Sequence, residues 1–280
     1  MKIGTRYLPP LWFASMRFAS AASLSWVVAM VLKRQRIPAR HEWPIVLGVG
    51  ILQMGLFTAL VTMALHFVMP GRASLIAYAT SIWVVPGAAI VLKQRLAPEQ
   101  KLATASGYVG IAMVVLPSLR HADTHAFIGF ALLGIASLSW AANIIQIKSA
   151  KRVELDIGLL PWQTLVAAVP LSIAAFAFEG SPRFLSNVHS WYVIAYTGPL
   201  ATALTFLIVL RMTQKLSPVT VSVCMLGVPM VGILLSAAAF HERLSADLVA
   251  GLSLVALGLV IPALSSRRRR GTFGTAQAHH

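Results

Sequence analysis

The chain has 280 residues, of which 58% are apolar and only 11% charged, with 23 Lys and Arg against eight Asp and Glu for a net charge of +15. A soluble domain would carry about a quarter charged residues, so this composition excludes one, and the joints between apolar runs are too short to house a reaction outside the membrane. The runs approach the roughly 20 residues that cross a bilayer as a helix. They are continuous rather than alternating, which excludes a barrel, and the expected fold class is an all-α polytopic membrane helix bundle.

The chain opens on "MKIGTRYLPPLWFASMRF", whose Gly and Pro-Pro punctuation normally closes one helix and opens the next. Nine spans are predicted, at about residues 11–32, 44–66, 73–92, 102–119, 127–147, 158–178, 190–210, 218–240 and 246–264. In the first, Arg17 lies seven positions after Pro10, about 10 Å along a helix; it either snorkels to the interface or lines an external vestibule that attracts carboxylates. Gln53 and Thr58 are polar candidates on the second span, and His66 ends it. Tyr78, Ser81 and Trp83 occupy the middle of the third.

On the fifth span Trp140, Asn143 and Ile147 stand at i, i+3 and i+7, on one face, and Asn143 needs either a partner or a water-filled cavity. Tyr196 and Thr202 are the polar candidates of the seventh. On the eighth, Cys224 is the chain's lone cysteine, which allows no intramolecular disulfide, and Pro229 frees a backbone carbonyl within the span. The substrate-cavity candidates are therefore Gln53, Tyr78, Ser81, Trp83, Trp140, Asn143, Tyr196, Thr202 and Pro229, with Arg17 in the vestibule. Aromatic rings with a few hydroxyls and amides suit a neutral or zwitterionic metabolite better than a metal ion or polyphosphate. No metal or cofactor is expected.

The "RRRR" of residues 267–270 belongs to a charge asymmetry rather than to nucleic-acid recognition. The joints after odd-numbered spans, together with the tail, hold 16 of the 23 basic residues and the opposite side holds six. That bias places the C-terminus in the cytoplasm, with anionic lipid as partner of the tail. All eight acidic residues fall in joints or at span ends, so no intramembrane carboxylate relay is visible.

Sliding the sequence on itself by 148 residues lays "PGRASLIAYATSIWVVPGAAIVLKQRL" (70–96) on "PVTVSVCMLGVPMVGILLSAAAFHERL" (218–244), with Pro70 on Pro218 and Arg95-Leu96 on Arg243-Leu244. Ser81 then matches Pro229, and Gly110 matches Gly258. The aligned spans are the third and the eighth, so the halves are inverted, the usual construction around a midplane transport site. The second half begins with "IGFALLGIASLSWAANIIQIK" (128–148) before its own "GLLPWQTL" (158–165). The first half shows no such helix before Lys2, and the nine spans read as ten minus the first.

On "KIGTRYLPPLWFASMRF" (2–18), "MPGRASLIAYATSIWVVPGAAIVLKQRL" (69–96), "LSWAANIIQIK" (138–148) and "LSPVTVSVCMLGVPMVGILLSAAAFHERL" (216–244), the chain resembles the EamA-type transporters of the drug/metabolite transporter superfamily, through about residue 264. The resemblance implies five plus five helices in the bacterial inner membrane and export of amino acids or related metabolites. The implied domains are a first repeat over 1–120, a second over 121–266 and a disordered basic cytoplasmic tail over 267–280. A small molecule and membrane lipid are the expected partners, with homodimerisation open. An intramembrane enzyme is disfavoured because no His-Glu-x-x-His or Gly-x-Ser-x-Gly pattern occurs. A non-transporting subunit or a lipid scramblase is the alternative.

Overall fold

A computed structural model describes residues 1–78, 80–93, 98–119, 124–150, 156–208, 218–241 and 245–257. The expected basic tail, the side chains of Ser81 and Cys224, and the Arg-Leu closes at 95–96 and 243–244 lie outside the described residues. Those residues form helices and no strands. In chain order the helices are α1 (Pro10–Val31), α2 (Trp43–Ala64), α3 (Pro70–Val91), α4 (Pro98–Leu119), α5 (Thr124–Ser149), α6 (Leu160–Glu179), α7 (Val188–Ile208), α8 (Pro218–Phe240) and α9 (Ala246–Leu257). Each predicted span falls on one of them. Among the described residues six helices, α1, α2, α3, α5, α6 and α7, are both long and apolar enough to cross a membrane.

Proline sets many of the starts. Pro10, Pro70, Pro98 and Pro218 are each the first helical residue, and Pro44 and Pro161 stand in the first turn. The first N–H groups of a helix have no intrahelical acceptor, so a residue without an N–H costs nothing there. The opening Leu-Pro-Pro shows the consequence. With Pro9 and Pro10 unable to donate, the first free donors of α1 are the amides of Leu11 and Trp12, and both donate to the Glu179 carboxylate at the end of α6, at 2.8 and 2.9 Å. A negative charge at a helix N-terminus is favoured by the helix dipole as well.

The remaining contacts fix the direction of that pair. Trp12 meets Gly180 just past the end of α6, Ser15 meets Ser172 at 2.6 Å, and Trp26 packs against Trp162 near its start with ring centroids 5.3 Å apart. Helices α1 and α6 are therefore antiparallel along their whole length. The repeat mates α3 and α8 are also antiparallel. Ser74 faces Gly232, while Lys2, whose ammonium lies 3.7 Å from the sulfur of Met69, sits 6.0 Å from the ring of Phe240. Helices α4 and α9 meet backbone to backbone at Gly110 and Gly251. Pairing of matched helices in opposite directions is the geometry of two inverted halves.

Tryptophans close both ends of the α1–α6 pair in the same way. The Trp12 indole N–H donates to the Gly180 carbonyl at 3.0 Å, and the Trp162 indole N–H donates to the Arg36 carbonyl at 2.9 Å. Each Trp follows the proline that opens its helix, and each reaches the joint after the opposing helix. Satisfying an exposed joint carbonyl with a ring that is otherwise apolar suits the membrane interface.

Helices α2 and α7 share a further feature. Each opens into a nine-residue stretch of π-helix, Gly48–Leu56 in one and Tyr196–Leu204 in the other, and both boundaries differ by the 148 residues of the sequence repeat. A wide turn leaves carbonyls off the regular ladder, and in a membrane these need partners. Ser139 on α5 donates to the Leu52 carbonyl at 2.8 Å, and Thr202 donates to the Thr197 carbonyl at 2.7 Å. Gly50 and Gly198, again 148 apart, bring these stretches against α6 and α1: a Cβ at Gly50 would lie 2.8 Å from the Gln163 carbonyl oxygen, and one at Gly198 would lie 2.7 Å from that of Arg17.

The halves differ in what covers these helices. On α2, Gln146 of α5 donates to the Pro44 carbonyl at 2.8 Å and its side chain fills the space beside Gly48. The corresponding line on α7, Tyr192, Tyr196, Leu200 and Leu204, is 70%, 63%, 54% and 44% exposed. Among the described residues no helix holds the place on α7 that α5 holds on α2.

Candidate functional site

The polar side chains of the spans gather in two groups. The first lies where α5 meets α2 and α3. Asn143 is fully buried and donates to Gln53 Oε1 at 2.7 Å, and its own carbonyl oxygen is buried without a partner. Trp140 stands one turn away. Its ring is held edge-on by Phe57 at 4.9 Å and by Tyr78 at 5.5 Å between centroids. Trp83 donates its indole N–H to Ser137 at 2.7 Å and packs against Tyr108 at 5.8 Å.

The second group lies where α1 crosses the π stretch of α7. Arg17 turns inward: its Nε donates to the hydroxyl of buried Thr202, and its guanidinium lies 5.8 Å from the Phe18 ring. The Thr202 hydroxyl donates its hydrogen bond to the Thr197 carbonyl, so its oxygen can accept from Arg17. Among the described residues the ion pairs are Arg36 with Glu42, Arg36 with Asp156 and Arg72 with Asp247, and none involves Arg17.

The structure thus brings Gln53, Tyr78, Trp140 and Asn143 together where α5 meets α2 and α3, and Arg17 and Thr202 together where α1 crosses α7. Trp83 joins the first group through Ser137 on the neighbouring turn of α5. Pro229 is buried within α8, and Tyr196 is 63% exposed on α7, outside both groups. Ser81 opens the second part of α3, after buried Thr80.

The face is wider than the periodicity reading. Ser139, Asn143 and Gln146 bond to Leu52, Gln53 and Pro44 of α2, and Trp140 packs on Phe57 of the same helix and on Tyr78 of α3. Ser139, Asn143 and Gln146 stand at i, i+4 and i+7, a stripe as regular as the one first read and fully polar. Phe57, Ser137 and Tyr108 carry no signal in an apolar sequence and emerge only from packing.

An apolar groove of about 630 Å³ runs between α2 and α6, lined by Leu11, Ile51, Leu56, Met63, Pro170 and Phe178 among others. None of the candidate residues lines it. Among the described residues no cluster of His, Cys, Asp and Glu could hold a metal ion.

Known proteins place the chain. It is 22% identical over 272 residues to the "Uncharacterized transporter YoaV" of Bacillus subtilis, covering 96% of this chain and 92% of that protein. It is 27% identical over 280 residues to a "Probable amino-acid metabolite efflux pump" of Salmonella typhimurium, with 96% and 91% covered. A crystal structure matches with a TM-score of 0.66 at 18% identity, over 95% of this chain and 93% of its own, and so shares the fold. The model of the EamA-like transporter family matches twice, over residues 1–116 and 127–263. Two matches, one per antiparallel half, cover nearly the whole chain, and this multi-pass membrane protein belongs to the EamA-like transporter family.

Proposed function

We propose that the protein is a secondary transporter of the bacterial inner membrane, C-terminus cytoplasmic, that exports small metabolites such as amino acids or their derivatives by alternating access, and that it is not an enzyme. The observation that carries this reading is a pair of buried polar contacts across the two halves: Asn143 with Gln53, beside Trp140 and Tyr78, and Arg17 with Thr202. Each pairs a residue of the first half with one of the second. A buried carbonyl without a partner is costly, and Asn143 holds one beside an aromatic ring. A substrate donor would satisfy it. A π stretch lies in each half at the matched position, and such stretches are frequent at functional sites. Export follows the efflux pumps it resembles.

Purified protein in proteoliposomes tests this by counterflow with a panel of labelled amino acids and their derivatives. At least one substrate should exchange, and Asn143→Ala and Trp140→Ala should each lower the rate by about tenfold with insertion unchanged. Absence of exchange for the whole panel, or full rates in both variants, refutes it.

A further inference from the structure

Arg17 is a guanidinium at membrane depth without a carboxylate partner among the described residues. It stands eight residues into the 22-residue α1, all four described acidic side chains lie in joints or at helix ends, and the ion pairs among the described residues leave it out. An ionised group there is costly unless paired or bonded, and a side chain able to snorkel would reach water. This one instead donates from Nε to Thr202, with Phe18 at 5.8 Å. That single bond uses one of five donors. The two terminal nitrogens, the pair that forms a fork with a carboxylate, have no partner among the described residues.

The surroundings are built to hold the side chain in this posture. Thr202 is fully buried and fixed by its own bond to the Thr197 carbonyl at 2.7 Å inside the π stretch. Gly198, one turn before Thr202, lets α7 approach until a Cβ there would lie 2.7 Å from the Arg17 carbonyl oxygen. The Phe18 ring lies 5.8 Å from the guanidinium. The result is an oriented cation beside an aromatic ring.

We infer that Arg17, positioned by Thr202, is the anchor for a carboxylate on the transported molecule, so that the substrate class is small organic carboxylates bearing an apolar or aromatic body. The inference rests on the transporter reading and narrows it. A bidentate charge-assisted pair is worth roughly ten- to hundredfold in affinity over a neutral donor and acceptor. A zwitterion qualifies through its carboxylate; an amide or ester of the same shape does not.

Full-length protein in detergent is titrated with 3-phenylpropanoate and with 3-phenylpropanamide, each to about 50 mM, and binding is followed by tryptophan fluorescence and thermal shift. The carboxylate should bind at least about tenfold more tightly than the amide. Arg17→Met should lower that preference to about twofold or less while the protein stays monodisperse and helical, Arg17→Lys should keep part of it, and Thr202→Val should weaken it without abolishing it. Equal affinities for acid and amide, no binding of the acid, or an undiminished preference in Arg17→Met would overturn the assignment. Should Arg17→Met not fold, the acid-to-amide ratio in Arg17→Lys and Thr202→Val decides by the same criterion. Carboxylate preference in detergent with no flux in proteoliposomes would refute the transporter reading and leave the anchor standing. Flux of neutral substrates alone would do the reverse.

Discussion

The crossing of α4 and α9 makes a sharp test of how this bundle is held. In lipid, apolar burial between helices brings little transfer energy, because the acyl chains are as apolar as leucine; close packing and hydrogen bonds must do the work. A methyl added at Gly110 would sit 2.7 Å from the Gly251 carbonyl oxygen and 3.1 Å from Leu254 Cβ and Val255 Cγ2. One added at Gly251 would sit 2.6 Å from the Gly110 carbonyl oxygen and 2.5 Å from Val114 Cγ2. Since an ordinary contact of this kind is about 3.4 Å, the helices must part by about 0.7 Å. Overpacking against backbone costs about 2–3 kcal/mol, and alanine returns about 1 kcal/mol over glycine in a helix. Gly110→Ala should therefore destabilise by about 1–2 kcal/mol. Gly134 on α5 would meet nothing within 4 Å, so Gly134→Ala should stabilise by up to about 1 kcal/mol. Combining Gly110→Ala with Gly251→Ala should cost about 1 kcal/mol less than the sum, because one separation relieves both clashes. Reversible unfolding in mixed micelles with rising SDS, followed by tryptophan fluorescence, gives all four values. A Gly110→Ala protein stabilised like Gly134→Ala, or a strictly additive double variant, would refute the packing argument.

Two further outcomes follow from the joints. Hydrogen bonds from Arg36, at 2.6 and 2.8 Å, hold the Glu42 carboxylate at about 2, against the upward pull of burial and with help from the Ala39 amide. A depressed carboxylate contributes stability above its unfolded value of about 4.3 and loses it as pH falls toward the folded one. The melting temperature should be level between about pH 7 and 5 and fall below about pH 4, and Glu42→Gln should be less stable at neutral pH with a shallower acid decline, as scanning fluorimetry across pH would register. Trp12→Phe and Trp162→Phe each remove one indole bond to a joint carbonyl and should each cost about 1 kcal/mol. Standing at opposite ends of the α1–α6 pair, they should add within about 0.5 kcal/mol; strong coupling in a double-variant cycle would contradict independent clamps.

The membrane made much of this molecule legible from its sequence. A helix that must satisfy its own backbone over a fixed thickness writes its length into the apolar runs, and proline marks its start. The nine spans, the 148-residue repeat and the inverted order follow from those rules, down to Leu-Pro-Pro as an opening device. What the sequence could not contain is anything that depends on two helices meeting. Whether Arg17 snorkels or turns inward is decided by Thr202, 185 residues away, and by Gly198, which lets α7 approach. Ser139 and Asn143 find their partners because the π stretch of α2 presents Leu52 and Gln53 to that face of α5. The π stretches themselves carry no composition of their own, and they are fixed by the helix that crosses each and by the hydroxyls that cap their freed carbonyls. Local rules of length and punctuation drew the helices; long-range backbone approach, permitted by single glycines, chose which polar atoms they share.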